Sequence, residues 1–224
     1  MEIIPAIIAK SFEELSRKIK LVEPYVNWVQ LDIMDGQFAP EVSWNNPEEL
    51  ENINTRLNLE AHLMVEDVEL EVERWLGSGV KRILVHYEAV FGNQELGTGN
   101  WEVISKKCKE NNTELGLALN LETSIDVLTK FQVSSSRFQV IQLMSIAQIG
   151  YYGQPFDGRV IPKIKSLREK YPNVKIAVDG GVSLKNAGKL FQAGANILAV
   201  GSAIFEADNI GEAIKNFQIG FGSK

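Results

Sequence analysis

The stretch VQLDIMDGQF (29–38) places an acid, Asp32, inside a run that otherwise has the composition of a buried strand. Side chains in a strand alternate between its two faces, so Gln30, Asp32 and Met34 are predicted to point the same way. An ionised carboxylate on an inward face is costly unless it is paired, hydrogen-bonded or bound to a metal. The pattern therefore indicates either acid–base chemistry or a metal site.

Two further strand-like runs carry residues of similar chemical capability. In NLEAHLMV the residues His62 and Met64 share a face, and in VKIAVD the last residue of the run is Asp179. As structural alternatives, Asp32 would cap the loop after its strand and Asp179 would serve a tight turn. Two acids at the ends of separate strands, with a histidine nearby, favour an acid–base or metal-binding pair.

The remaining candidates near these strands are expected to be structural. Asp35 directly precedes Gly36, which is typical of a turn. His86 lies near a strand end, and we expect it to have a structural or peripheral role. Because the chain contains only two histidines, a zinc site rich in histidine is excluded.

The elements that must position these residues alternate between short β-rich runs and amphipathic helical runs. The strand-like runs are 2–8, 26–34, 58–65, 82–87, 115–120, 138–144, 174–179 and 196–201. The helix candidates are 11–24, 46–54, 67–78, 100–111, 123–131, 158–171, 183–193 and 208–217. Eight such units in a chain of this length predict one (β/α)8 TIM barrel domain over residues 1–224. A doubly wound open sheet is the alternative.

Glycines stand where barrels commonly bind phosphate, in the loops after the seventh and eighth strands. Gly180 and Gly181 follow the seventh strand, and Gly201 and Ser202 follow the eighth. Gly153 lies in the loop after the sixth. Glycine lets the backbone approach a phosphate, which backbone N–H groups and a helix dipole then stabilise. The spacing predicts a phosphate-binding site beside the two acids.

Composition excludes several classes of function. The net charge of −6 argues against binding to nucleic acid or to a membrane surface. No apolar run approaches the roughly 20 residues of a membrane helix, and Pro5 interrupts a short apolar N-terminal run that lacks the basic start of a secretory signal. The single cysteine, Cys108, cannot form an internal disulfide, which fits a reducing compartment. We therefore expect a cytoplasmic protein.

Whole segments of the chain resemble the ribulose-phosphate 3-epimerases, in the same order and over nearly its full length. The resembling segments are LDIMDGQFAP (31–40), AHLMVED (61–67), LVHYEA (84–89), GLALNLET (116–123), LMS (143–145), GQPF (153–156), VDGGVSLKNA (178–187) and AGANILAVGSAIF (193–205). Together they make a specific match, well beyond fold class, and the resemblance implies an α/β fold, a (β/α)8 TIM barrel of the ribulose-phosphate-binding type.

The resemblance implies an epimerase of a phosphorylated ketose, most simply one that interconverts D-ribulose 5-phosphate and D-xylulose 5-phosphate. One acid removes the C3 proton to give an enediolate and a second acid returns a proton on the opposite face, and Asp32 and Asp179 match these catalytic positions. In the family a divalent metal, commonly zinc, is held by these two aspartates and two histidines. His62 matches one histidine, whereas the other position is Gln30. The resemblance also implies substrate or phosphate contacts from Met34, Met64, Met144, Gly153, Gln154, Gly180, Gly181, Gly201 and Ser202.

Three departures from the family bear on this expectation. A neutral amide oxygen at Gln30 is a weaker and harder ligand than imidazole, so zinc affinity is expected to fall, and Mn²⁺, Mg²⁺ or no metal becomes more plausible. Without an ion, neutral His62 and Gln30 would donate to the developing oxyanion. Ala6 stands where the family usually has serine, and the loop 144–156 is one residue longer than usual and lacks an Asn-Pro pair.

Other functions stay open at this point. The altered loop and Ala6 are also compatible with the same chemistry on another phosphosugar, such as a hexulose 6-phosphate. The loss of one metal ligand is compatible with a phosphosugar-binding barrel without catalysis, although a pure binder has no need of two opposed carboxylates. The VDGG and GSAIF segments alone would suit an isomerase of amino-acid biosynthesis, but DIMDG and HLMV argue against it. Because the family commonly forms dimers or hexamers, a homo-oligomer is expected.

Overall fold

A computed structural model describes residues 1–92, 101–131 and 139–219 of the chain. Eight parallel strands close into a barrel in chain order, with β8 pairing back onto β1. The strands are β1 Glu2–Ile7, β2 Trp28–Met34, β3 Asn58–Met64, β4 Arg82–His86, β5 Glu114–Leu119, β6 Val140–Met144, β7 Lys175–Asp179 and β8 Ile197–Val200. The predicted (β/α)8 barrel is confirmed, and the open-sheet alternative is wrong.

Helices follow the strands and cover the outside of the barrel. The α-helices are α1 Phe12–Val22, α2 Val68–Trp75, α3 Tyr87–Phe91, α4 Trp101–Glu110, α5 Val160–Lys170, α6 Leu184–Ala193, α7 Ser202–Phe205 and α8 Ile210–Ile219. Their buried faces pack on the outward side chains of the strands in one continuous apolar cluster. No helix in the described part of the chain is long and apolar enough to cross a bilayer.

Two of the predicted helices are 3₁₀ segments rather than α-helices. The candidate at 46–54 is Pro47–Asn52, and the candidate at 123–131 is Ile125–Phe131. In the first, Pro47 and Leu50 are the buried residues, and a spacing of three places them on one side of a 3₁₀ helix. Short segments of this kind connect strands without needing a full amphipathic face.

The barrel interior is polar at both ends and apolar between them. Near the amino ends of the strands, the guanidinium of Arg82 donates to Glu60 (2.6 Å) and Glu114 (2.7 Å) and lies 4.2 Å from the Trp28 ring centre. A buried apolar cluster lies among the inward side chains, formed by Ile4, Leu84, Val140, Ala177 and Ile197. At the carboxyl ends the inward side chains are again polar, and these form the candidate site.

Candidate active site

Parallel register brings the inward residues of β2, β3 and β7 to one end of the barrel. Asp32 is paired in register with His62 across β2 and β3, and Met34 with Met64. Met144 is paired in the same way with Asp179 across β6 and β7. The register therefore places these residues at the same end of the barrel.

Asp32, His62 and Asp179 form a compact cluster. His62 Nδ1 lies 3.0 Å from Asp32 Oδ1 and 3.6 Å from Asp179 Oδ2. One potential ligand atom from each residue falls within 4.8 Å of the others, so this group could hold a divalent metal ion. The two acids and the histidine are also close enough to exchange protons with a molecule bound above them.

Gln30, at the predicted fourth metal position, bridges the two acids. Its Nε2 donates to Asp32 Oδ1 (2.8 Å) and to Asp179 Oδ2 (2.7 Å), and lies 3.3 Å from His62 Nδ1. The buried Oε1 of Gln30 has no hydrogen-bond partner among the described residues. With its amide in this orientation Gln30 presents N–H groups and no lone pair to a cation, so it does not act as the fourth ligand implied by the resemblance.

A second glutamine, Gln142 on β6, was missed by the sequence analysis. Its Nε2 donates to Asp179 Oδ2 (3.0 Å) and lies 3.5 Å from both ring nitrogens of His62. The only available signal was the two-residue spacing from Met144, which places both residues on the inward face. An amide in such a run is easily taken for an ordinary polar residue.

His86 is structural but not peripheral. Its Nε2 lies 2.9 Å from His62 Nε2, and the two rings stack with centroids 5.1 Å apart. On the other side, His86 Nδ1 lies 3.2 Å from Glu88 Oε2, and Glu88 also accepts from the N–H of Asn120 (2.9 Å). A chain of contacts thus supports His62 from behind.

Burial and the proximity of like charges set the protonation of the acid pair. Burial, reinforced by the nearby charge of Asp32, raises the pKa of Asp179 to about 7. Burial opposes a charge on His62, but its hydrogen bond to Asp32 and the surrounding carboxylates together raise its pKa above the usual value. Burial lowers the pKa of His86. Near neutral pH Asp179 can therefore carry a proton and act as the acid beside Asp32.

A pocket opens directly above this cluster. Asp32, His62 and Asp179 line its floor, and Met64 and Met144 line its wall. The predicted phosphate residues also line it, namely Gly153, Gln154, Gly180, Gly181, Gly201 and Ser202. Met34 does not: it is fully buried and packs behind Met64.

The loop after β6 adds a residue that sequence reasoning did not single out. Tyr152 lines the pocket, and its hydroxyl accepts from the N–H of Ile8 (2.9 Å) and donates to the carbonyl of Ala6 (3.3 Å). A Cβ added at Gly201 would stand 2.9 Å from the Tyr152 ring. Tyr152 therefore occupies the space between β1 and the loop after β8, and it contributes to the shape of the pocket.

Asp35 is a turn residue, as predicted. Its Oδ1 accepts from the N–H groups of Gln37 (2.8 Å) and Phe38 (2.9 Å), and its Oδ2 accepts from Glu66 N–H (2.7 Å). These bonds hold the loop after β2 against the loop after β3.

Comparison with known proteins gives a consistent result over most of the chain. A sequence model of the Ribulose-phosphate 3 epimerase family matches residues 2–205. The ribulose-phosphate 3-epimerase of Schizosaccharomyces pombe is 29% identical over 222 residues, covering 97% of this chain and 92% of the relative. The enzyme of the same name from Synechocystis is 32% identical over 219 residues, covering 95% and 90%.

Solved structures support the barrel. The 3-hexulose-6-phosphate synthase of Salmonella typhimurium superposes with a TM-score of 0.72 at 14% identity, covering 98% of each chain. The orotidine 5'-phosphate decarboxylase of Pyrococcus horikoshii OT3 gives a TM-score of 0.63 at 18% identity, covering 99% of this chain and 100% of the other. At such low identity these likenesses show the fold alone.

Proposed function

Because the chain belongs to the ribulose-phosphate 3-epimerase family and is therefore an isomerase, we propose that it interconverts D-ribulose 5-phosphate and D-xylulose 5-phosphate by proton transfer at C3. The observation that carries this proposal is the convergence of Asp32 and Asp179, from two separate strands, on the floor of one pocket. Epimerisation through an enediolate needs one group to remove a proton and another to return one, and this pair supplies both.

The acid pair is suited to work in either direction. Because burial and the charge of Asp32 raise the pKa of Asp179 to about 7, a large fraction of the molecules carry a proton on Asp179 near neutral pH. The ionised carboxylate acts as the base toward the C3 proton, and the protonated carboxyl returns a proton to the enediolate. Their roles exchange when the reaction runs backwards.

The rest of the pocket suits a phosphorylated sugar. The six residues from Gly153 to Ser202 named above line the pocket together and would bind the phosphate. Met64 and Met144 give an apolar surface beside the acids. Their thioether side chains are weakly hydrated and would not compete with the acids for protons. Met34 would support Met64 from behind rather than contact the substrate.

A divalent ion, whether Zn²⁺, Mn²⁺ or Mg²⁺, would be held by Asp32, His62 and Asp179. When bound, it would supply Lewis-acid stabilisation to the enediolate oxygens. We propose that its affinity is weakened by Gln30, because the amide N–H groups are directed at the same carboxylate oxygens.

Tyr152 favours testing other phosphosugars as well. Its ring lies between Ala6 and Gly201 at the side of the pocket, so it can select among substrates of different length. A hexulose 6-phosphate, acted on by the same chemistry, is the second candidate substrate. A phosphosugar-binding barrel without catalysis is the third candidate function.

For location and assembly, relatives rather than the site support a proposal. One relative, from Oryza sativa, is named a cytoplasmic isoform and is 28% identical over 216 residues. We propose a cytoplasmic location for this chain. We also propose that it forms a homo-oligomer, because members of the family commonly do.

The test is a coupled assay of ribulose 5-phosphate epimerisation, together with deuterium uptake at C3 in D₂O measured by NMR. We expect turnover by the native protein and a loss of about 10²–10⁴-fold in Asp32→Asn and in Asp179→Asn. Asp126→Asn, at an exposed acid outside the pocket, is the matched control and should keep full activity. A hexulose 6-phosphate is assayed in parallel.

Each outcome discriminates among the candidates. Turnover of the hexulose 6-phosphate alone would replace the first substrate with the second. Binding of both sugars without deuterium uptake, in folded protein, would support the binder and contradict the epimerase. Full activity in either active-site variant would contradict the assigned acid pair.

A further inference from the structure

Two buried amides lie beneath the acid pair without reaching the pocket. Gln30 and Gln142 have no solvent-exposed surface, and neither lines the pocket. They therefore cannot act on a bound sugar directly. Any effect they have on the reaction must act through Asp32, His62 or Asp179.

The amide nitrogen of Gln30 contacts all three residues of the candidate metal group. It lies 2.8 Å from Asp32 Oδ1, 2.7 Å from Asp179 Oδ2 and 3.3 Å from His62 Nδ1. With the amide turned over, Oε1 would face two carboxylate oxygens at these distances, which is repulsive unless a proton or a cation lies between them. When both acids are ionised and no ion lies between them, electrostatics therefore directs the N–H₂ of Gln30 toward the acids.

Gln142 reinforces this arrangement from β6. Its Nε2 donates to the same oxygen of Asp179, at 3.0 Å. The buried Oε1 atoms of both glutamines have no partner among the described residues. Leaving a buried acceptor unpaired costs free energy, so the gain from directing both N–H₂ groups at the acids must offset that cost.

Hydrogen bonds of this kind can do the two things that a cation would do for the acids. An N–H bond to a carboxylate is charge-assisted, so it offsets part of the repulsion between Asp32 and Asp179. It is also directional, so it fixes the oxygens that it contacts. What it lacks is the direct contact of an ion with the substrate.

We propose that Gln30 and Gln142 are positioning residues that hold Asp32 and Asp179 in place of a divalent ion, so that this site works without bound metal. The proposal rests on the proposed function, because it concerns how the same acid pair is kept ready. It separates this chain from a site in which a second histidine completes a metal centre.

The first measurement is metal content, which needs no substrate. Native protein and Gln30→His are incubated with Zn²⁺, dialysed and analysed by mass spectrometry of the metal, and their thermal unfolding is recorded with and without EDTA. We expect native protein to retain well under one ion per chain and to unfold at the same temperature with or without EDTA. Gln30→His should retain close to one Zn²⁺ per chain and lose thermal stability in EDTA.

The second measurement separates positioning from mere folding. After chelation, native protein should keep its kcat, whereas Gln30→Met and Gln142→Leu should lose about 10–100-fold in kcat, the usual effect of removing a supporting hydrogen bond, with KM little changed. Gln30→His should be slow after chelation and recover when Zn²⁺ is added. If Gln30→His does not fold, the two apolar variants and the native metal content still decide the question.

The refuting results are equally specific. A stoichiometric ion in native protein, whose removal lowers the unfolding temperature, would overturn the proposal, as would full kcat in both apolar variants. Absence of epimerase activity on every sugar would instead count against the proposed function, because the metal content and the unfolding data are obtained without substrate.

Discussion

Replacing Asp179 with asparagine should make the metal-free protein more stable at pH 8 while it lowers turnover by about 10²–10⁴-fold. Asparagine can place its oxygen where Asp179 Oδ2 accepts from Gln30 and Gln142, so the main hydrogen bonds survive. What disappears is the negative charge, which burial and Asp32 disfavour. The variant therefore isolates the cost of keeping a second ionised acid in this site.

The magnitude follows from the difference in pKa between the folded and unfolded chain. An aspartate titrates near 4 when unfolded, whereas Asp179 titrates at about 7 in the folded protein. Between these two values the folded protein holds a proton that the unfolded chain has released, so the free energy of unfolding falls as pH rises through that window and levels off above it. The full loss is on the order of 4 kcal/mol.

The assay compares thermal unfolding of native protein and Asp179→Asn at pH 5 and pH 8, both in EDTA. For a chain of this size about 1 kcal/mol corresponds to about 2–4 °C, so the variant should unfold roughly 10 °C higher than native protein at pH 8. At pH 5 native Asp179 is already protonated, and the difference should nearly vanish. An equal difference at both pH values, or no gain at pH 8, would refute the assigned shift.

Two further predictions concern the base of the barrel and the phosphate side of the pocket. Arg82→Met should lower the free energy of unfolding by about 3–5 kcal/mol, measured by urea denaturation, because it leaves Glu60 buried without its partner. A second change, Glu60→Met, should restore much of this loss. Gly181→Ala should raise the KM for the phosphorylated substrate. The KM for the unphosphorylated sugar, measured by proton exchange without Zn²⁺, should change little. The reason is that the φ of +62° at Gly181 disfavours a side chain, and the new Cβ would stand 2.6 Å from the backbone nitrogen of Phe156. An unchanged KM for the phosphorylated sugar would contradict a phosphate site there.

The sequence was sufficient to predict the barrel because its signals are local. Runs of apolar residues mark the strands, and two-residue alternation shows which side chains point inward. The same alternation located Asp32 and His62, and the strand end located Asp179. The two 3₁₀ segments were harder to predict, because a buried residue at every third position also occurs in short stretches of α-helix.

The contacts among the site residues could not be predicted from the sequence in the same way. Gln30 and Asp179 are 149 positions apart, and which end of the amide faces the acid depends on the charges that the fold brings to it. Gln142 is part of no recognisable motif, and His86 is 24 positions from His62 in the chain although the two rings are in contact. Such contacts depend on register across several strands, which only the structure supplies.

The hydrogen bonds from Gln30 and Gln142 to the acid pair also help to explain how each of the two acids can carry out one proton transfer. A dication bound to both carboxylates would favour the ionised form of Asp179 and oppose the rise of its pKa. Neutral amides stabilise the carboxylates far less, so burial and mutual repulsion keep the pKa of Asp179 near 7. A two-base epimerase needs one acid protonated and the other ionised at the same moment. By placing Gln30 between Asp32 and Asp179, the chain holds the two oxygens in position and still leaves the pair able to keep the single proton that the reaction requires.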